Sequence, residues 1–469
     1  MSTRAHLSST PASLWWALAS FLGLAKLAVF VLDSNPQFVL GDSMSYLTTA
    51  MLGWIPPDRS FVYGFLVYNV TTRARSLSSL VAVQTCAGIV TALVTALILV
   101  RFFRAPFFIA AAMAVAVAIE PQQLLYERFV MTESVSTAFF AVFLLLVLKY
   151  LHSRKMWVLI AVQVAGVVLI AFRLTYVPLV AATTLIGPFM AYLPVRNRVQ
   201  LAVHLLMSVS LFVGLHTAYK YWNGYLSKLP AAYLYADGYF LIATVSPLVT
   251  PADTDVPELV PVLSRPLAYA SGPNQIISRK AELYLAEGLV ARLKEALKDD
   301  YQVNVEAKRI AYRVIRRDPF GCIRLAVQTY LLFYSREYMS ESMRQEAGMR
   351  ELEPGQLKIL SNYHLDARGL PFMKSLTRQY YLASWPFFLL LLHTPVALLL
   401  AAALVRPGKR RLLWFLVLIT GLQVATVQML EVEPSTRYLH PVTVPFVIAI
   451  GVCATRLFRS HVPSGDYVE

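Results

Sequence analysis

The chain alternates long apolar runs with short polar loops. A helix that crosses a bilayer needs about 20 consecutive, mostly apolar residues. Runs of roughly that kind occupy residues 14–32, 77–100, 106–119, 134–151, 157–172, 177–192, 199–219, 385–405, 412–430 and 438–458. They predict an all-α polytopic membrane protein with about ten transmembrane helices. The run at 106–119 is short. Arg101 and Arg104 before it, and Arg154 and Lys155 after its partner, nonetheless require a hairpin there.

The loops divide by charge. One set holds Arg101 and Arg104; Arg154 and Lys155; Arg196 and Arg198; and Arg406, Lys409, Arg410 and Arg411, with no Asp or Glu. The alternate set holds Asp33, Asp42, Asp58, Glu120, Glu127, Glu133, Glu431 and Glu433. Positive loops stay in the cytoplasm, so both termini are expected there and the acids outside. Arg73 and Arg75 oppose the rule and are outnumbered.

The long stretch 221–381 reads as a large external loop domain. It separates an N-terminal membrane region, 1–220, from a C-terminal one, 382–469. Within it, 281–297 has the period of one amphipathic helix: Leu283, Leu285, Leu289, Leu293 and Leu297 against Glu282, Glu287, Arg292, Lys294 and Glu295. The apolar stretch 322–334 follows Asp318-Pro319. A span there would break the even helix count, so it is expected at the interface.

Composition agrees with the pattern. Of 469 residues, 57% are hydrophobic and 15% charged, against roughly 25% charged in soluble domains. The net charge of +15 sits mostly in short loops between spans, where it sets orientation. Nucleic acid is therefore not the expected partner; membrane lipids are, in a cell (inner or plasma) membrane. Cys86, Cys322 and Cys453 form neither a disulfide framework nor a zinc spacing. Asp33-Ser34-Asn35-Pro36 after the first run is not a small-residue cleavage site, which argues against a cleavable signal. No Walker loop, HExxH or GxSxG context occurs.

Four polar constellations fall on the acid-rich side. In Gly41-Asp42-Ser43-Met44-Ser45-Tyr46, Asp42 is placed to cap a helix, with Tyr46 one turn on. Tyr126-Glu127-Arg128-Phe129-Val130-Met131-Thr132-Glu133 leads into the fourth span. Thr132 and Glu133 suit a cap there too, but an acid at the edge of an apolar run is costly and often functional. Arg173 stands alone between two spans, either a snorkelling anchor or a functional cation. Arg437-Tyr438 opens the last span, and Glu431 or Glu433 are the plain partners for that arginine. Lys26, inside the first span, either pairs with Asp33 or lines a cavity.

Taken together, Gly41-Asp42-Ser43 with Tyr46, Met131-Thr132-Glu133, Arg173 before Pro178, Asp318-Pro319, and Arg437-Tyr438 with Pro441 resemble the GT-C superfamily of membrane glycosyltransferases. The branch most alike contains protein O-mannosyltransferases and the bacterial aminoarabinose transferases of lipid A. Glu133 stands where relatives often have Asp, and the helix count is lower than in larger relatives.

The resemblance implies a sugar transferred, with inversion, from a polyprenyl-phosphate donor to a lipid, glycan or protein acceptor on the external face. It implies Asp42 as general base, with Glu133 as the second carboxylate of the catalytic pair. Arg173, Arg437 and Tyr438 would hold the donor phosphate, with Lys26 a more distant candidate. Tyr46, Glu127 and Arg128 would orient substrate. The sequence requires no cofactor, though Asp42 and Glu133 could together hold a divalent cation. Two other classes fit the intramembrane charges: a transporter or flippase of a lipid-linked sugar, and a noncatalytic membrane subunit.

Overall fold

Each of the ten apolar runs forms a helix. The computed structural model describes residues 10–39, 41–268, 275–348, 354–364, 375–405, 407–430, 432 and 434–461. Among these, eight helices are long and apolar enough to cross a membrane. They are α1 (Ala12–Leu32), α2 (Ser78–Phe103), α4 (Glu133–Ser153), α6 (Leu174–Val195), α7 (Arg198–Ser227), α8 (Trp385–Val405), α9 (Arg410–Val427) and α10 (Thr436–Phe458). Two shorter apolar helices complete the set, α3 (Phe107–Ala118) and α5 (Met156–Phe172). The protein is all-α and polytopic. The described residues contain no strand beyond a single parallel bridge between Gln37 and Phe129.

Lipid tails are as apolar as leucine, so close packing rather than water exclusion holds such helices together. Fully buried Ala92 and Ala96 of α2 and Ala110 and Ala114 of α3 let backbones approach. Helix α4 packs on α2, α5 and α6, and α10 on α2, α3 and α8. These two are the innermost helices, 72% and 67% buried, against 17% for α1 and α7. Glu133 and Arg437 lie in their first turns, so both side chains start from the rigid centre of the bundle.

The basic loops gather at the opposite end. Arg104, Arg154 and Arg196 adopt positive φ of 54°, 57° and 55° where their helical segments end, and their N–H groups return to the carbonyls of Leu99, Tyr150 and Leu193. Cations suit helix C-termini, where the dipole is negative. Arg411 Nη2 donates to the Leu151 carbonyl at 2.6 Å, tying two of these loops together.

The segment between α7 and α8 has two parts. The first has its own core around the helix Asp300–Arg317, whose Val303, Ala307, Ile310, Ala311 and Val314 form one buried face. The second, comprising Arg336–Glu346, Pro354–Ser361 and Leu376–Ala383, packs on the bundle. Met339, Met343 and Tyr381 join Leu125, Tyr126, Phe129 and Met131 in one apolar cluster. Leu360 and Tyr363 join Phe38, Met44 and Tyr46 in another.

Two sequence expectations change here. Helix α7 runs on to Ser227, so the boundary expected at 220 falls inside a helix. The single helix expected at 281–297 is two, Gln275–Tyr284 and Leu289–Leu297. The Glu282 carboxylate accepts the Leu289 N–H at 2.6 Å and so begins a new helix instead of continuing the old one. The stretch at 322–334 lies mostly in a helix of 14 residues, Pro319–Leu332, started by Asp318 accepting from Gly321 N–H at 2.7 Å. At about 21 Å it is shorter than a ~30 Å hydrocarbon core.

Candidate active site

Asp42 opens the helix Asp42–Leu52, after Gly41 at φ 75°, a conformation that side-chain-bearing residues rarely adopt. Its carboxylate does not cap that helix. The neighbouring Ser43 hydroxyl instead accepts the Val39 N–H at 2.9 Å. Asp42 is thereby left for ion pairing. Arg59 Nη2 lies 2.5 Å from Oδ1, and Arg437 Nη1 donates to Oδ2. Arg437 Nε donates in turn to Glu133 Oε1. One guanidinium therefore bridges the two acids singled out in the sequence. Glu133 makes no capping bond either, nor does Thr132.

Arg173 approaches from the turn between α5 and α6. It is 7% exposed, so it is not a snorkelling anchor. Its Nη1 lies 3.7 Å from Glu133 Oε1, beyond hydrogen-bond reach, and both terminal nitrogens are buried without a hydrogen-bond partner. The Tyr438 ring takes both cations, 4.7 Å from the Arg173 guanidinium and 5.6 Å from that of Arg437. The Tyr46 ring sits 5.6 Å from the Arg59 guanidinium and meets Tyr63 edge to face at 4.7 Å.

The electrostatics follow from this geometry. Burial pushes the Asp42 carboxyl up, but Arg59 and Arg437 outweigh it and bring it down to about 2. Burial pushes Arg59 down, and Asp42 more than reverses it, holding the guanidinium charged. Asp58 lies 3.1 Å from the same guanidinium.

Glu127 and Arg128, expected to orient substrate, lie elsewhere, in a network with no exposed side chain. Lys26 pairs with Glu127 at 2.5 Å, not with Asp33. Gln123 donates to the same carboxylate oxygen at 2.9 Å. Arg128 donates to Glu127 at 3.1 Å and to the carbonyls of Asp33 and Leu124 at 3.0 and 2.9 Å. Glycine at position 88 makes the space, because a Cβ there would sit 2.0 Å from Glu127 Oε1. Asp33 is used differently, its carboxylate accepting from the Ser375 and Thr377 hydroxyls at 2.6 and 2.8 Å. Near this network, Glu120 Oε2 lies 3.6 Å from His440 Nε2, and burial raises its carboxyl to about 7.

The structure thus gathers Asp42, Tyr46, Glu133, Arg173, Arg437 and Tyr438. Sequence reasoning missed Arg59. Its signal was the one that flagged Arg173 and Arg437, a positive charge on the acid-rich side. Glu431 and Glu433, the partners expected for Arg437, lie outside the described residues. No group of three or more His, Cys, Asp or Glu with metal-site geometry occurs among the described residues. Asp42 and Glu133 are bridged by a guanidinium.

No protein-family model matches this chain, and no curated protein matches it. Among solved structures, the crystal structure of ArnT from Cupriavidus metallidurans in the apo state is matched at 12% sequence identity and a TM-score of 0.35. The match covers 94% of this chain and 78% of that one. Similarity at this level carries no functional inference.

Proposed function

We propose that this protein is an integral membrane glycosyltransferase that moves a sugar from a polyprenyl-phosphate donor to an acceptor hydroxyl on the external face, with inversion. The observation that carries the reading is Arg173. A buried guanidinium whose two terminal nitrogens lack acceptors costs about 1–3 kcal/mol for each unsatisfied group. Such a cost is tolerated where an anion belongs. Arg437 and Arg59 stand around the same pair of carboxylates, and a phosphate suits planar, bidentate guanidinium forks.

In this mechanism the acceptor oxygen attacks the anomeric carbon while Asp42 takes its proton. The bond from that carbon to the phosphate oxygen breaks, and its electrons stay on the phosphate. Arg173 and Arg437 stabilise the growing charge. Attack opposite the leaving group inverts the anomeric centre. Asp42 at about 2 is a weak base while two arginines hold it. When the donor phosphate takes over the Arg437 guanidinium, one of those cations turns away and the carboxylate becomes more basic. Binding and base activation are then a single event. Glu133 keeps Arg437 aimed between Asp42 and the phosphate.

Apolar helix surfaces would hold the isoprenoid chain, so the donor stays in the bilayer. The segregated loop charges support cytoplasmic termini, with the segment between α7 and α8 outside. Cysteine labelling tests this; a cytoplasmic signal from position 260 rejects both the topology and an external site. The chemistry is tested by incubating the purified protein with a radiolabelled polyprenyl-phosphate sugar. Release of the headgroup, lost in Arg173→Ala, is the expected result. Movement of intact donor across vesicles without release would replace the transferase by a transporter.

A further inference from the structure

We infer that Glu346 is a positioning residue for Arg437, through which the segment between α7 and α8 sets the geometry of the site. The inference rests on the role proposed above for Arg437.

Glu346 is the last residue of the helix Arg336–Glu346. A carboxylate is electrostatically misplaced at a helix C-terminus, so a local reason for it is missing. Its partners supply a distant one. Its carboxylate accepts from the Thr436 hydroxyl at 2.6 Å, from the Tyr381 hydroxyl at 2.9 Å, and from the Ser435 hydroxyl. Three donors from two separate elements converge on one group, and two of them are the residues immediately before Arg437.

The same turn is held on its other sides. Gln122 Nε2 donates to the Thr436 carbonyl at 2.6 Å, and the Ser342 hydroxyl to the Pro434 carbonyl at 3.1 Å. Tyr381 and Thr436 hydroxyls also meet each other at 2.5 Å. Thr436 is fully buried and turned toward Glu346. Arg437, the next residue, is turned to Asp42 and Glu133. Fixing the threonine side chain therefore fixes where the arginine leaves the backbone. Charge-assisted hydrogen bonds are the strong ones, and a shift of about 1 Å at a reacting centre costs roughly 100-fold in rate.

The test pairs two readouts. Hydrogen exchange on the full chain in detergent should show amides of residues 435–440 exchanging at least about tenfold faster in Glu346→Gln, with α2 and α4 unchanged. In the transfer assay, Glu346→Gln should lose about 100-fold in turnover. In an Arg437→Ala background, where the group Glu346 acts through is gone, the further loss should be under about threefold. Thr436→Ser should behave as wild type, and Thr436→Val as Glu346→Gln. Should Glu346→Gln fail to fold, the two threonine variants carry the same comparison. Unchanged exchange at 435–440, or losses that multiply fully with Arg437→Ala, would overturn the inference. If the wild-type protein transfers no sugar, the transferase reading fails, and the exchange result alone decides the positioning role.

Discussion

Two clusters of buried charge lie side by side in this bundle, and they are built differently. In the first, Lys26, Glu127 and Arg128 are sealed from solvent, and Arg128 spends its donors on Glu127 and two carbonyls. In the second, Asp42, Glu133, Arg59, Arg173 and Arg437 are packed more openly. Arg437 keeps 17% and Asp42 14% of its side chain exposed, and Arg173 hydrogen-bonds through neither terminal nitrogen. Both clusters violate the rule that charges avoid apolar surroundings. The first nearly satisfies itself, leaving one terminal nitrogen of Arg128 and Oε1 of Gln123 unpaired. The second has cationic donors to spare and a route to the outside. Incomplete satisfaction, rather than burial or charge alone, is what sets the second cluster apart and supports its proposed role in holding an anion.

Breaking the sealed cluster should have the largest effect, and on stability. Glu127→Ala leaves Lys26 and Arg128 without their carboxylate, a loss of about 3–5 kcal/mol. It should appear as a collapse in the yield of folded protein and in the detergent unfolding midpoint. Lys26→Met with Glu127→Leu should recover the part of that loss due to Lys26, because an apolar pair of similar volume replaces one ion pair, while Arg128 keeps its carbonyl acceptors. The double variant should also retain transfer. If it folds and is inactive, the first cluster is not merely structural and the contrast collapses.

Asp42→Asn should do the opposite, costing roughly 100-fold or more in transfer while leaving folding intact. The Asp42 side chain caps no helix, so only ion pairs in a partly open site are lost. Near-normal turnover in a folded Asp42→Asn protein would remove Asp42 as the base. A smaller loss is expected of Arg437→Lys, about tenfold, the cost of one charge-assisted hydrogen bond. Arg437→Ala should be far worse, because charge and fork vanish together. The readout is donor-dependent transfer, in both turnover and donor affinity.

The smallest effect concerns Glu120, an electrostatic neighbour of the sealed cluster. Burial raises its carboxyl from 4.5 to about 7, so the folded state holds that proton more tightly than the unfolded chain. Its contribution is complete below about 4.5 and is lost as pH rises through 7. The unfolding midpoint should therefore fall between pH 5 and 8, by roughly a few degrees, and Glu120→Gln should flatten that slope. A slope that Glu120→Gln leaves unchanged would mean that Glu120 is already ionised when folded.

Much of this was legible in the chain before folding, because it depends on local pattern. Hydropathy located all ten helices, since a run of apolar side chains has the same meaning wherever its neighbours lie. Charge segregation put Asp42, Glu133, Arg173 and Arg437 at one end. The two lone arginines stood out because orientation gave no reason for them. Spacing could not say what each charge faces. It offered Lys26 nearby Asp33 or a cavity, yet the partner is Glu127, 101 positions away. It read Asp42 as a cap, yet its carboxylate meets Arg437, 395 positions away. It joined 281–297 into one helix, because periodicity does not register a carboxylate folding back onto Leu289 N–H. Which helices are innermost, which turn presents Arg437, and which cations are left without acceptors depend on how the helices pack. Close packing is a property of neighbours in space, and only the tertiary structure decides who those neighbours are.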